Sequence, residues 1–218
     1  MAVLFGDACG AVVIEATDEE TGLLAANIGC ESDAKYAIQI TNLGSAYSRM
    51  TDDFLYVDWN FEGQEVFKRA VRAMAQACGN VLEQQGLSIA DVDLVVPHQA
   101  NKRILDALAK KVGLDEDRVF INVHKYGNTS AGTIPVALTE ALEENKIKPG
   151  GHVLMASFGP DLPGEQVWLS GLIELHLSSN PTRVCLLATR LRLKSLKNKL
   201  SAARKELKQP LSFYCIML

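Results

Sequence analysis

Two polar side chains follow two apolar segments and could act together. His98 comes directly after the apolar run 92–96 and Pro97, and Asn128 follows the apolar run 119–123 and Gly127. A neutral imidazole offers one N–H donor, and an asparagine amide offers two. Two neutral donors that converge on one point suit an oxyanion. The pair therefore predicts a site that stabilises the negative charge developing on a thioester or ketone oxygen.

A purely structural role for these residues is an open alternative. His98 could cap the helix that follows it, and Asn128 could supply a tight-turn conformation beside Gly127. In open α/β sheets, however, ligands bind at the carboxyl ends of the strands, which is where both side chains are expected. The residues alone leave both interpretations standing.

The segments around these residues alternate between strand and helix patterns. Strands are predicted over 3–5, 11–15, 23–28, 92–96, 119–123, 152–158 and 167–175, and helices over 62–85, 100–112 and 131–145. The first helix is amphipathic and ends at Gly86, a favourable C-cap. The alternation predicts an α/β fold with parallel pairing. Residues 31–60 are polar and irregular, which fits either a flap over the site or an edge hairpin.

The charge distribution divides the chain into two parts. The 218 residues have a net charge of −4, which gives no indication of a nucleic-acid partner. Residues 1–181 hold 13 basic and 25 acidic side chains, whereas residues 182–218 hold 9 basic side chains and one acid. We therefore predict one domain over 1–175 and a basic appendage over 176–218.

Cysteine and histidine usage indicates a reducing compartment without a metal site. The five cysteines show no CxxC spacing, which predicts free thiols. His124, His152 and His176 are single histidines without ligand spacing, so no metal is expected. No apolar run reaches the length of a membrane span, so no membrane association is expected either.

Three short motifs give the chain a family resemblance. The segments VPHQAN (96–101), YGNTSA (126–131) and LFGD (4–7) together resemble 3-oxoacyl-ACP synthase III, the ketoacyl synthase that starts fatty-acid chains in type II systems. The resemblance covers 2–159 closely and 167–175 loosely. It implies the C-terminal half of a thiolase-like fold, with a mixed sheet and flanking helices.

The resemblance also implies a reaction. Members of this family carry out a decarboxylative Claisen condensation of an acyl thioester, of the acetyl-CoA type, with malonyl-ACP at a Cys-His-Asn site. His98 and Asn128 would stabilise the enolate oxygen, and the thioesters of CoA and phosphopantetheine would be substrates, with no cofactor required. The nucleophilic cysteine belongs to an N-terminal half that this chain does not contain, and we expect none of Cys9, Cys30 and Cys78 to replace it.

A ligand path and a docking surface are implied in the same way. Five positions match the family's pantetheine tunnel, namely Gly63, Phe67, Ala100, Asn101 and Ile104. Core packing would explain Phe67 and Ile104 equally well, and helix capping would explain Asn101. Lys68, Arg103 and Lys110 would attract the acidic acyl carrier protein, since Arg103 and Lys110 are seven residues apart and share a helix face. An ordinary solvated face is the alternative.

One departure from the family pattern concerns a second oxyanion hole. Pro160 follows Phe158 and Gly159 where the family has further glycines, and proline has no N–H to donate. The expected function is thus the catalytic half of a synthase in fatty-acid biosynthesis, acting in the cytoplasm, or in the plastid of a photosynthetic eukaryote. Expected partners are acyl carrier protein, acyl-CoA, and a second copy or the missing N-terminal half. An inactive half-subunit for dimerisation or carrier docking is the first alternative, and a truncated gene product is the second.

Overall fold

Four strands precede the first helix of the described chain, and one strand separates that helix from the three that follow. The computed structural model describes residues 4–10, 12–13, 21–32, 37–41, 58–160, 165–174 and 213–214. Its strands are β1 (Val12–Val13), β2 (Gly22–Ser32), β3 (Ile38–Thr41), β4 (Asp58–Phe61), β5 (Leu94–Pro97), β6 (His152–Pro160), β7 (Glu165–Glu174) and β8 (Phe213–Tyr214). Its helices are α1 (Gly63–Gln84), α2 (Lys102–Val112), α3 (Val123–Tyr126) and α4 (Thr133–Glu143).

The central sheet has four strands in the order β2-β7-β6-β5. Strands β5 and β6 pair in parallel, whereas β6–β7 and β7–β2 are antiparallel. The predicted α/β class and the mixed sheet are confirmed; the parallel pairing that the alternation predicts occurs between β5 and β6, whereas β7 is antiparallel to both of its neighbours. Only four residues separate β6 from β7, and a parallel crossover needs a dozen or more.

Helices cover the sheet on both faces. Helices α1 and α2 pack on one face against a core that includes Val95, Leu154 and Leu172. Helix α4 packs on the other face, where Leu94 and Val96 are buried. Neighbouring residues of β5 thus belong to opposite cores, as the period of two in a strand requires. This burial on both sides fixes the end of β5, and with it the position of His98.

The predicted helices are confirmed, with shifts of a few residues at their ends. Helix α1 ends at Gly86, where φ is +65° and the backbone N–H of Leu87 donates to the carbonyl oxygen of Leu82 over 2.9 Å. This is the glycine C-cap that the sequence predicted. Helix α2 begins at Lys102 because Asn101 supplies the cap, its side chain accepting a hydrogen bond from the backbone N–H of Arg103.

The predicted strand over 119–123 is wrong. Val119 makes a single parallel bridge to Val95, and Val123 already begins α3. The backbone N–H groups of Asn122 and Val123 donate to the side-chain oxygen of Gln99, over 2.9 and 3.2 Å, instead of to a neighbouring strand. A buried side chain thus replaces the ladder that the apolar pattern suggested.

The polar region before α1 contains a hairpin pairing. Strands β3 and β4 pair antiparallel, from Ile38 opposite Phe61 to Thr41 opposite Asp58. The pair forms a two-stranded sheet separate from the central one, which fits a flap as well as a hairpin, and residues 42–57, with their apolar segment 54–57, lie outside the described residues.

The two ends of the chain are described only in part. Strand β1 pairs antiparallel with β8, a strand that the sequence did not predict. Residues 176–212 and 215–218 lie outside the described part, so the boundary near 175 and the basic appendage stay predictions. Among the described residues, no helix is both long and apolar enough to cross a bilayer.

Candidate active site

His98 lies immediately beyond β5. Its backbone N–H donates to the carbonyl oxygen of Ala156 in β6 over 2.7 Å, which anchors the residue to the sheet. Its ring Nδ1 lies 2.6 Å from the hydroxyl oxygen of Thr133. Burial lowers the pKa of His98 to about 4, so the imidazole is neutral near pH 7. The ring therefore offers one N–H donor and one acceptor.

Asn128 lies in the loop after α3, and its backbone is clamped on both sides. Its N–H donates to the carbonyl oxygen of Leu4 over 2.9 Å, and its carbonyl oxygen accepts from the N–H of Gly6 over 3.0 Å. The side-chain oxygen accepts from the backbone N–H of Ser130 over 2.9 Å. Since the oxygen is engaged in this way, the amide nitrogen presents its two hydrogens elsewhere.

One turn connects the two side chains. The hydroxyl of Thr133 lies 2.9 Å from the carbonyl oxygen of Ser130 and also contacts the ring of His98. Ser130 in turn holds the side chain of Asn128. Among the described residues, neither Nε2 of His98 nor Nδ2 of Asn128 has a hydrogen-bond partner. The structure thus joins both predicted residues to one turn and leaves a polar nitrogen of each without a protein partner.

Gln99 holds the two halves of the site together, a role that the sequence did not suggest. Its side chain is 1% exposed, and its amide nitrogen donates to the carbonyl oxygens of Pro97 and Phe120 over 2.9 and 3.0 Å. Its amide oxygen accepts from the backbone N–H groups of Asn122 and Val123. One buried amide thus satisfies four backbone groups and ties the end of β5 to the start of α3.

Glu140 of α4 supports α3 from the opposite side. Its carboxylate accepts hydrogen bonds from the amide of Asn122 over 2.7 Å and from the hydroxyl of Tyr126 over 2.6 Å. Burial would raise the pKa of Glu140, but these hydrogen bonds and the nearby charge of Lys125 outweigh it and lower that pKa. The segment leading to Asn128 is therefore fixed on both sides.

Close backbone contact explains the glycines of two motifs. A Cβ atom on Gly6 would lie 1.9 Å from the carbonyl oxygen of Tyr126. Gly127 has a φ of +70°, which favours glycine, and a Cβ there would approach the carbonyl oxygen of Leu4 to 3.2 Å. The segments 4–7 and 126–131 thus form one structural unit around Asn128.

The five predicted tunnel residues lie near the beginnings of α1 and α2. Gly63 is the first residue of α1, and Asn101 is the cap of α2 and is exposed. Ile104 is buried, and Phe67 and Ala100 pack against the same core cluster. The capping role of Asn101 and the core contacts of Ile104, Phe67 and Ala100 are therefore observed. A role of the five residues in binding a ligand stays a prediction.

The three predicted docking cations are exposed. Lys68 lies on α1, and Arg103 and Lys110 lie on α2. None of them forms an ion pair with a described residue. Lys102 differs, since it lies 2.7 Å from Asp106. The exposed sides of α1 and α2 thus carry three cations that no described acidic residue pairs.

A groove of about 730 Å³ lies elsewhere, beside the later turns of α1 and α2. Its lining includes Arg72, Leu82, Ile89 and Lys111, but neither His98 nor any of the predicted tunnel residues. Its position separates it from the His98–Asn128 turn.

The described cysteines and acids do not extend the site. Cys78 of α1 packs in the hydrophobic core, as expected. Its burial raises the pKa of the thiol to about 12, so the thiol stays protonated. Cys9 is half-buried in the described segment 4–10, and Cys30 lies exposed in β2. No group of three or more potential metal ligands occurs among the described residues.

Strand β6 continues in regular register through Gly159 and Pro160, which lie opposite Val167 and Gln166 of β7. The following residues 161–164 are outside the described part, and with them most of the segment where the sequence departs from the family pattern. The loss of a backbone N–H donor for an oxyanion hole at Pro160 therefore stays a prediction.

Comparison with known proteins finds the same family resemblance. Residues 82–166 match the family model described as 3-oxoacyl-[acyl-carrier-protein] synthase III C terminal. The chain is 44% identical over 173 residues to beta-ketoacyl-[acyl-carrier-protein] synthase III 2 of Vibrio vulnificus (strain YJ016), covering 79% of this chain and 47% of the relative. It is 47% identical over 161 residues to the protein of the same name from Vibrio cholerae, covering 74% of this chain and 44% of the relative. The chain spans about half the length of these curated relatives.

Solved structures give the same assignment. The chain resembles 3-oxoacyl-[acyl-carrier-protein] synthase III of Aquifex aeolicus VF5, with a TM-score of 0.63 and 37% identity over 74% of this chain and 47% of that one. It also resembles the synthase III of Thermus thermophilus, with a TM-score of 0.66 and 34% identity over 80% of this chain and 53% of that one. The thiolase-like fold implied by the motifs is confirmed, and over 79% of its length the chain is similar to the C-terminal half of a 3-oxoacyl-ACP synthase III.

Proposed function

We propose that this chain supplies the His/Asn part of a Cys-His-Asn site in a decarboxylative Claisen condensation of fatty-acid biosynthesis. An acyl thioester of the acetyl-CoA type would be extended with malonyl-ACP. The observation that carries the proposal is the pair His98 and Asn128, whose Nε2 and Nδ2 atoms have no partner among the described residues while one turn holds both side chains.

The chemistry needs stabilisation of an enolate. When a malonyl thioester decarboxylates, the bond to the carboxylate carbon breaks, CO₂ leaves, and the electron pair moves toward the thioester oxygen. Donors from His98 and Asn128 would stabilise that oxygen, and because both side chains are held in place before the reaction their nitrogen atoms need to move little. The enolate carbon would then attack an acyl group carried as a thioester on a cysteine that another part of the site has to provide, the C–S bond would break, and the cysteine thiolate would leave.

The lowered pKa of His98 supports a neutral role. An imidazole with a pKa of about 4 stays uncharged at pH 7, so Nε2 can donate a hydrogen bond to the enolate oxygen only in the tautomer that carries the proton on Nε2. No cofactor is required by this scheme, since the thioesters of CoA and phosphopantetheine are themselves the substrates. A thiolate nucleophile requires a reducing compartment, which fits the cytoplasm or a plastid.

Decarboxylation by the purified chain tests the proposal. Conversion of malonyl-ACP to acetyl-ACP should be measured for the wild type and for His98→Ala and Asn128→Ala. Each variant should lose a factor of about 100 or more, the usual cost of removing one such donor. His124→Ala is the matched control, because His124 is exposed on α3. Wild-type decarboxylation that persists unchanged in both site variants would contradict the proposal.

The start of α2 supports a path for the pantetheine arm. We infer that Gly63, Phe67, Ala100, Asn101 and Ile104 line this path, since Ala100 and Asn101 directly follow the His98–Gln99 pair and Phe67 packs against the same cluster as Ile104. A thioester that reached His98 along this path would pass the exposed end of α2.

A docking surface for acyl carrier protein is proposed along the exposed sides of α1 and α2. Lys68, Arg103 and Lys110 are exposed cations without acidic partners among the described residues, and an acidic carrier would be attracted to them. Arg103→Glu should weaken carrier binding at low salt, measured by calorimetry or fluorescence anisotropy. Lys146→Glu, an equal change of charge at an exposed position beyond α4, should leave binding nearly unchanged.

The second candidate function is a non-catalytic half-subunit for carrier docking or dimerisation. The exposed cations of α1 and α2 favour it without requiring any chemistry. Carrier binding that falls in Arg103→Glu, together with no measurable decarboxylation in the wild type, would support this function over the first.

A further inference from the structure

The hydroxyl of Thr133 lies between two groups of the site. Its oxygen is 2.6 Å from Nδ1 of His98 and 2.9 Å from the carbonyl oxygen of Ser130. The residue is 2% exposed, and among the described residues it has no other side-chain partner. These two contacts are therefore the hydrogen bonds that the buried hydroxyl makes to described residues.

Counting hydrogens restricts what the two contacts can be. A hydroxyl has one hydrogen to donate, and a carbonyl oxygen can only accept. The contact with Ser130 is a hydrogen bond only if Thr133 donates its hydrogen there. The contact with His98 is then a hydrogen bond only if the ring donates, which places the ring proton on Nδ1.

We propose that Thr133 is the positioning residue that sets the tautomer of His98, holding it in the Nδ1–H form in the unliganded protein. This form is the one in which both short contacts are hydrogen bonds. It leaves a lone pair, not a hydrogen, on Nε2. Free histidine prefers the opposite tautomer, with the proton on Nε2, so the buried hydroxyl reverses an intrinsic preference.

The catalytic consequence rests on the proposed function. To donate to an enolate oxygen, His98 needs its proton on Nε2. One proton then leaves Nδ1, one is taken up from solvent at Nε2, and the Thr133 hydroxyl turns from Ser130 to donate to Nδ1. The hydroxyl hydrogen of Thr133 thus has two orientations, one toward Ser130 and one toward Nδ1 of His98. Binding of a thioester oxygen at Nε2 would favour the second orientation.

Histidine-labelled protein tests the proposal directly. Two-bond ¹H–¹⁵N correlation spectra of the full chain at pH 7 distinguish the Nδ1–H, Nε2–H and doubly protonated rings. The chain has four histidines, and the signal lost in His98→Gln assigns the one of interest. The wild type should show mainly the Nδ1–H pattern, and Thr133→Val should shift His98 to the Nε2–H pattern. Thr133→Ser, which keeps the hydroxyl, should retain the wild-type pattern.

Two results would overturn the proposal. One is a wild-type spectrum with the proton of His98 already on Nε2, which decides the matter even if the valine variant does not fold. The other is an Nδ1–H pattern that persists in Thr133→Val or in Thr133→Ala. Neither reading depends on turnover, so a failure of malonyl-ACP decarboxylation would contradict the proposed function and leave the tautomer result unaffected.

Discussion

The neutral state of His98 links the site to the stability of the protein. Its pKa is lowered from 6.5 to about 4 by burial, so between these values the unfolded chain binds a proton that the folded chain does not. The free energy of unfolding should therefore fall as the pH falls below about 6.5, by about 2 kcal/mol at pH 5, and be unaffected by this group above pH 7.

Urea unfolding at pH 7 and pH 5 measures this contribution. Carboxylates also titrate in this range, so the wild type has to be compared with His98→Asn, which removes only the imidazole. The loss of stability between the two pH values should be smaller in the variant by about 2 kcal/mol. Equal losses in both proteins would mean that His98 is not held neutral by its surroundings.

Gln99 permits a second prediction at the scale of one residue. Gln99→Leu keeps the size of the side chain but removes the partners of four backbone groups, and each buried group left unsatisfied costs about 1–3 kcal/mol. The free energy of unfolding should fall by about 3 kcal/mol or more, measured by chemical denaturation. The exposed Gln64→Leu on α1 should change it by less than about 0.5 kcal/mol. A loss below 1 kcal/mol in Gln99→Leu would contradict this role.

The sequence indicated the reactive residues better than their supports. His98 and Asn128 stand out because each is polar, follows an apolar run and belongs to a recognisable motif. Gln99 and Thr133 do not, because the contact of Gln99 with Phe120 spans 21 residues and that of Thr133 with His98 spans 35, and both form only when β5, α3 and α4 are assembled. The role of a buried polar side chain becomes clear from its hydrogen-bond partners in the folded chain. The sequence does not show which backbone groups need such a partner.

At the scale of elements, the segment 4–10 shapes the loop that carries Asn128. Gly6→Ala would place a methyl group 1.9 Å from the carbonyl oxygen of Tyr126, so the segment has to move away and its two backbone hydrogen bonds with Asn128 weaken. We expect decarboxylation to fall about tenfold or more, since a displaced donor no longer meets the oxyanion geometry. Measured rates of acetyl-ACP formation provide the test.

The control for this substitution lies within α1. A Cβ atom on Gly79 would meet nothing within 4 Å, so Gly79→Ala should leave the rate unchanged and stabilise the helix by up to about 1 kcal/mol. If Gly6→Ala behaved like Gly79→Ala, the segment 4–10 would have no part in placing Asn128.

The elements themselves were predictable where local patterns decide them. Helix α1 shows apolar residues at helical spacing and a glycine at its end, and both features are local. The segment 119–123 was predicted as a strand because VFINV is apolar and β-branched, but the side chain of Gln99 takes the N–H groups that a ladder would need. The antiparallel direction of β7 follows from the short connection after Pro160, which is too short for a parallel crossover. A prediction based on the alternation of strands and helices does not take this length into account.

At the scale of the whole molecule, β2 presents an uncovered apolar row. Leu23 is 65% exposed and Ile28 is 71% exposed, and both lie on the strand at the edge of the four-stranded sheet. Leu24 and Ala25 point the other way, toward the core that α1 covers. Exposed apolar rows on an edge strand usually mark a surface that another chain covers. We therefore expect this row to take part in the proposed association with a second copy or with an N-terminal half.

Light scattering after size-exclusion chromatography tests this surface. If copies of the chain associate through β2, Ile28→Lys should shift the protein toward monomer, because burying a lysine without a partner opposes contact. Gln76→Lys, an exposed position on α1, adds a positive charge away from the row and should leave the mass distribution unchanged. A wild type that stays monomeric at high concentration would remove self-association as an explanation for the exposed row, and equal effects of the two lysines would show that charge alone disperses the protein.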